Sequence, residues 1–318
     1  MWPVERENPR GPAIVSTNVS RRHSLMLLAL AALWGASFMF IKVGVRELAP
    51  ATLICFRLGL GMLTLLPVAL VTVGARELRR QLRAAVVPLV LVGLFNSALP
   101  IAVLAWAEQR IDSGLAAVIQ ASAPLFTALL ALRFSRGEVV SGSRLVGLLI
   151  GFGGVALLVG VQPSGDVLSA AAVTFTAFSY AVAALYSARA LAHVPALVTS
   201  VGALGSATLM LVPFAIAQPP NGIPGWKVTG SLLALGILGT GVAYVLYYTL
   251  LAGAGASRSI LITYLVPAFA LAYGAILLGE PVTVAAVGGL ALVLGGVTLG
   301  TGVVRLARRR AQVTEVGG

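Results

Sequence analysis

SGLAAVIQASAPLFTALLALRFSRGE, from Ser113 to Glu138, and SRSILITYLVPAFALAYGAILLGE, from Ser257 to Glu280, are two versions of one pattern. Each opens on a small polar residue, runs through an apolar span interrupted near its middle by proline, and closes on Gly-Glu. Pro124 and Pro267 stand 143 residues apart (267 − 124), and Glu138 and Glu280 stand 142 apart (280 − 138). The offset continues on both sides, pairing Gly93 with Gly236 and Gly153-Gly154 with Gly295-Gly296. One slipped residue over such a length is hard to obtain by chance and reads as an internal duplication.

The chain around this pattern has 318 residues, 58% of them hydrophobic and 10% charged, with a mean hydropathy of +0.98. Soluble domains carry about 25% charged residues, so this chain cannot cover a water-facing surface and reads as a polytopic membrane protein. Membrane-spanning strands need short alternating segments. Here the apolar runs are long and unbroken, which specifies helices whose backbone groups are satisfied internally. The sequence predicts ten: 25–45, 51–73, 85–107, 113–132, 144–161, 167–189, 195–217, 229–251, 257–278 and 282–304. Residues 1–23 read as a disordered cytoplasmic tail, 24–161 and 166–304 as two five-helix repeats, and 305–318 as a basic cytoplasmic tail. Arg21-Arg22 before Leu25–Ile41 has the outline of a signal peptide, but nine further spans favour a retained first helix.

Charge sets the orientation. Of 22 Lys and Arg, 17 fall on one side: four in the first tail, Arg76, Arg79, Arg80, Arg83, Arg133, Arg136, Arg144, Arg189 and Arg258, and four in the last tail. Arg46, Arg110 and Lys227 fall on the other, while Lys42 and Arg57 lie inside spans. The positive-inside rule then puts both termini in the cytoplasm. The net charge of +12 is accordingly a topology signal rather than a nucleic-acid footprint. A repeat of five helices starts its second copy on the opposite face, so the fold expected is an all-α integral membrane protein of ten transmembrane helices in two inverted five-helix repeats. Secondary transporters are built in this way, with substrate held near the midplane at the repeat interface.

Trp34-Gly35-Ala36-Ser37-Phe38 with Lys42 in the first span, Arg57 in the second, the Pro124 span ending in Gly137-Glu138, and Tyr264-Leu265-Val266-Pro267 ending in Gly279-Glu280 resemble the EamA type of the drug/metabolite transporter superfamily. The resemblance covers residues 25–303. It implies a bacterial inner-membrane carrier of small metabolites, often an exporter of amino acids or related compounds. It also implies a central cavity lined mainly by the third, fourth, eighth and ninth spans.

Each candidate residue has a plain reading beside the functional one. Lys42 either snorkels to the outer interface or, with Trp34, gates the cavity mouth. Arg57 lies about 10 Å into its span at 1.5 Å per residue, where a charge costs about 2.5–3.5 kcal/mol. All ten acids map to tails, loops or span ends, so Arg57 either braces backbone carbonyls or meets a substrate carboxylate in a wet cavity. Glu108, Asp112, Glu138 and Glu280 are the candidates for any proton relay. Glu138 and Glu280, each before a span, are placed favourably by a helix N-terminus.

Pro124 and Pro267 each remove a backbone donor and point to the binding region, with Gln120, Thr263 and Tyr264 beside them. Asn96, Ser97 and Pro100 in the third span, and Tyr244 deep in the eighth, are further binding candidates or interhelical glue. Tyr247 and Tyr248 accompany Tyr244, while Trp106 and Trp226 read as interfacial belt residues. Gly147-x-x-x-Gly151 and Gly296-x-x-x-Gly300 permit close helix approach, within a monomer or in a homodimer.

The single Cys55 provides no disulfide framework, and His23 and His193 at span edges do not make a metal site. Neither a phosphate-binding loop nor a nucleophile–base signature occurs, so no cofactor, metal or catalytic residue is expected. The sequence reads as a metabolite-exporting secondary transporter working by alternating access. Multidrug or cation efflux is the alternative, ahead of a membrane enzyme or a non-transporting scaffold.

Overall fold

The structure, a computed structural model, describes residues 21–134, 142–160, 166–220, 222–254 and 261–300. Glu138, Gly137, Arg136, Arg258 and both tails beyond this range lie outside the described residues. Seven helices are long and apolar enough to cross a membrane, and three shorter apolar helices complete the set. No strand occurs among the described residues.

The first and second spans are Arg21–Gly44 and Pro50–Thr72. The third is a composite of Val86–Gly93, a π-helical segment Leu94–Ala98, and Leu99–Ala107. The fourth is two helices, Ser113–Gln120 and Ala123–Phe134. Gly142–Gly160, Val167–Ala190 and Ala196–Ala217 form the fifth to seventh. The eighth runs Trp226–Leu233, then π-helical Ala234–Val242, then Ala243–Ala254. The ninth is Leu261–Tyr273 with a π-helical end Gly274–Leu278, and the tenth is Val284–Gly300.

One further helix, Ala75–Ala84 (ARELRRQLRA), was not expected. It is too polar for a span. Leu78 is buried and Leu82 packs beside it, while Glu77 holds Arg80 and Gln81 along the other face.

The contacts between spans obey the inverted repeat. Exchanging each span with the one five places on carries second–seventh, fourth–ninth and fifth–tenth contacts onto themselves. It also carries first–ninth onto fourth–sixth, first–eighth onto third–sixth, and second–eighth onto third–seventh, and all of these contacts exist. Repeat-related glycines make two of them possible. A Cβ on Gly93 would strike Ser206 and the Ala203 carbonyl of the seventh span, and one on Gly236 would strike Leu60 of the second. Gly296 likewise meets the backbone of Gly151 between the tenth and fifth spans, so these small-residue motifs are spent on packing inside the chain.

Leu30, Leu53, Ile54, Ile119, Leu125 and Leu235 are among the fully buried core residues. The exterior carries Phe56, Leu63, Leu149, Leu168, Leu209 and Phe214. A surface this apolar is matched to hydrocarbon rather than water.

Candidate functional site: a central cavity shut at one end

A cavity of about 770 Å³ lies between the repeats, with Arg57, Asn96, Gln120, Tyr244 and Trp34 on its wall. Two π-helical segments shape it. A π turn carries one extra residue and often marks a functional site. Here the two segments occupy corresponding places in the third and eighth spans and turn Ser97 and Thr240, 143 residues apart (240 − 97), toward the cavity. Thr240 donates to the Leu235 carbonyl at 2.9 Å and accepts from Arg57 Nε at 3.3 Å. Arg57 is half-buried, and no carboxylate lies within ion-pair distance of it among the described residues. A guanidinium in this setting keeps most of its donors for whatever fills the cavity.

Part of the wall is an aromatic cluster set among aliphatic residues. Tyr244 stacks on Tyr248 with centroids 5.9 Å apart, Tyr247 leans on Tyr248 at 5.6 Å, and Trp34 tilts against Tyr247 at 5.5 Å. Asn96 sits against the Tyr244 side chain, and Tyr248 shares a hydrogen bond with Ser200. Tyr180 of the sixth span also lines the cavity and, with Tyr244, faces Arg57. Gln120, at the end of the first half of the fourth span, accepts through Oε1 from Thr176, and its amide nitrogen has no partner among the described residues.

Several expectations need correction. The first, second, sixth and seventh spans contribute to the cavity as well as the third and eighth, whereas the fourth and ninth supply only Gln120 and Val266. Sequence reading passed over Tyr180, because a tyrosine in FSYAVAALY resembles any other aromatic in an apolar run. The two prolines differ. The fourth span is broken at Ala121-Ser122 with Pro124 in the first turn of its second half, whereas the ninth continues as helix through Pro267. Pro124 is on no cavity wall, and Pro267 lines a neighbouring pocket of about 390 Å³ that shares Trp34, Phe38 and Gln120 with the main one. Tyr264 turns away from the cavity to Thr298 of the tenth span, with its hydroxyl 3.0 Å from Oγ1.

Lys42 also stands apart. Its Nζ donates to the carbonyls of Glu108 at 2.6 Å and Ile111 at 2.7 Å, fastening the first span to the connection after the third. Trp34 is about 12 Å along the helix axis from Lys42, in the cavity wall. The Gly-Glu pair of the opening pattern is explained at this same end. Gly279 adopts φ +69°, a left-handed turn that ends the ninth span. Its successor Glu280 then accepts from Ser113 N at 2.9 Å, Ser113 Oγ at 2.8 Å and Gly114 N at 3.1 Å. Glu280 thus caps a helix N-terminus, but that of the fourth span in the other repeat rather than of the span it precedes. Gly274 leaves room for the carboxylate, since a Cβ there would strike it.

Three more ties cross between the repeats at the Lys42 end. Glu47 accepts from Gly225 N at 2.7 Å, Thr52 donates to the Gln218 carbonyl at 2.9 Å, and Arg110 pairs with Asp166 at 3.7 Å. Arg110 also lies 4.6 Å over the Trp106 ring. Asp166 itself caps the sixth span through Ser169 N, and that hydrogen bond is the first cause holding its carboxyl below the usual range. The cavity extends the other way, to Leu191, Ala192 and Val194. It is shut at the Lys42 end and reaches the opposite one.

The sequence pattern of the EamA-like transporter family matches residues 22–160 and 168–301. An uncharacterized transporter of Archaeoglobus fulgidus is 28% identical over 86% of this chain and 96% of its own. The uncharacterized inner membrane transporter YedA of Escherichia coli is 29% identical over 80% and 82%. The "Probable terminal-alkyne amino-acid exporter" of Streptantibioticus cattleyicolor is 30% identical over 84% and 89%. One solved crystal structure superimposes with a TM-score of 0.62 at 19% identity, covering 88% of this chain and 97% of that one, which supports the fold. The family and the relatives carry the names of transporters rather than enzymes, and this chain belongs to the EamA-like transporter family.

Proposed function

We propose that the protein exports amino acids or related carboxylate-bearing metabolites by alternating access, with Arg57 as the anchor for the carboxylate. Arg57 carries this reading. It is a charge on the wall of a membrane-embedded cavity, hydrogen-bonded to a neutral threonine and lacking a carboxylate partner among the described residues. A substrate carboxylate supplies the missing counter-charge in bidentate geometry, while Tyr180, Tyr244, Tyr247 and Tyr248 cover an apolar side chain. Asn96 and Gln120 offer orienting polar groups. One relative is named as an amino-acid exporter, which agrees with this substrate class.

In this reading the protein lies in the inner membrane with both termini in the cytoplasm, as the Lys and Arg distribution favours. The cavity then opens inward, and the Lys42 end is the closed outer gate. The tyrosine cluster also suits a hydrophobic cation, which is the second reading, but Arg57 on the wall of the same cavity repels one.

Thermal stabilisation of the purified protein by amino acids, organic acids and hydrophobic cations tests the choice, since a ligand of the folded state raises apparent stability. Stabilisation by carboxylate-bearing compounds that Arg57→Ala abolishes and Arg57→Lys weakens is the expected result. Stabilisation by cations alone, unchanged in Arg57→Ala, would overturn it.

A further inference from the structure

Glu108 follows Ala107, the last residue of the third span, and is completely buried. Neither of its carboxylate oxygens has a hydrogen-bond partner among the described residues. Glu47, Glu77, Asp166 and Glu280 all hold donors. An ionised carboxylate sealed from water with no donor is among the costliest arrangements a protein can contain, whereas the neutral acid is tolerable.

The charges around it do not remove the cost. Lys42, from the first span, spends two donors on the carbonyls of Glu108 and Ile111 rather than on the carboxylate. Arg57 of the second span and Glu280 after the ninth also face Glu108. Asp112, on the same connection, faces Lys42 and Glu280, Arg110 is turned to Asp166, and Tyr180 and Tyr244 face Arg57. Burial pushes the Glu108 carboxyl well above the usual carboxylate range, with Glu280 adding to this and Lys42 and Arg57 opposing it.

The place of this acid matters as much as its burial. Glu108 N bonds to the Leu104 carbonyl one turn earlier, and Leu104 lines the cavity. Glu108 therefore sits between the cavity and the closed end, under the Lys42 and Glu280 ties.

We propose that Glu108 is a proton-binding site that locks the Lys42 end shut. The inference rests on the alternating-access reading above. The closed end holds Glu108 as the neutral acid. On opening, the carboxyl O–H bond breaks, the proton passes to water on that side, and the carboxylate is met by water and by the Lys42 ammonium released from its two carbonyls. Closure takes one proton back from the same side. One linked proton makes the open population rise by up to about tenfold per pH unit between the titration of Glu108 in the open state and its higher titration in the closed state, so alkaline conditions on that side favour opening.

The test uses the full chain in lipid vesicles with Cys55→Ser and Ile111→Cys, a reporter at the closed end, labelled by a membrane-impermeant maleimide. A parallel protein also carries Glu108→Gln, which copies the neutral acid, and its rate removes the intrinsic pH dependence of the thiol. The labelling rate with Glu108 intact, divided by the rate in the Glu108→Gln protein, is expected to rise at least about tenfold from about pH 5 to about pH 9. Asp112→Asn retains that rise, and infrared difference spectra against Glu108→Gln show a protonated carboxyl at neutral pH that disappears in parallel. A flat ratio, a rise lost in Asp112→Asn, or an ionised Glu108 at neutral pH would overturn the proposal. No substrate is required, so failure to transport amino acids would sink the substrate assignment and leave this result standing.

Discussion

Arg57 and Tyr264 were both binding candidates in the sequence, and the structure gives them opposite surroundings. Thr240 is the acceptor that aims the Arg57 guanidinium, so Thr240→Val removes the aim and keeps the charge. Apparent affinity for a carboxylate substrate should fall about three- to tenfold, or about 0.7–1.4 kcal/mol, as read from a binding isotherm. Tyr264→Phe removes a single interhelical hydrogen bond, to Thr298. It should leave transport unchanged and lower stability by about 0.6–1 kcal/mol, measured by thermal unfolding. Arg57 was legible because a charge in an apolar run has few explanations. Glu108 was legible only as one of four acids that could relay a proton; its burial was not, because AEQRID reads as a span end running into a loop. Lys42 and Glu280, which act on Glu108, are 66 and about 170 positions away and are brought beside it only by the fold.

At the scale of elements, the duplication was readable because glycines recur where spans touch. It predicts a contrast between neighbours. Gly296→Ala drives a methyl into the Gly151 backbone, while Gly295→Ala meets nothing within 4 Å. The first should cost about 1–3 kcal/mol, and the second should be neutral or slightly stabilising through helix propensity, both checked by melting temperature in detergent. Sequence reading found the spans because twenty apolar residues have one use in this composition. It missed the helix Ala75–Ala84 because four arginines in ten residues read as connection, although Leu78 and Leu82 supply an apolar stripe. The paired prolines suggested two equal breaks. Only the fourth span breaks, at Ala121-Ser122, since a proline in the first turn of a helix removes no bond that the helix would make.

At the scale of the whole molecule, the closed end is held by ties that mostly join one repeat to the other. Glu280 accepts three hydrogen bonds there. Glu280→Gln weakens charge-assisted bonds worth about 1.5–3 kcal/mol. Maleimide labelling of Ile111→Cys at neutral pH should accordingly rise about tenfold or more relative to the parent. Unchanged labelling would mean that the remaining ties suffice to keep this end shut. That the tie exists was half legible: the repeated Gly-Glu announced a helix cap, but not which helix.

The most extensive contacts, fifth with tenth, second with seventh and third with sixth, all run between repeats. This bears on how the chain is made. When the ribosome has delivered the first five spans, their best partners do not yet exist, and Ser113 and Gly114 still await a carboxylate encoded about 170 codons downstream. The early half must sit in the bilayer as loosely associated helices until the late half arrives, and a chain truncated after residue 161 would be a substrate for membrane proteases rather than half a transporter.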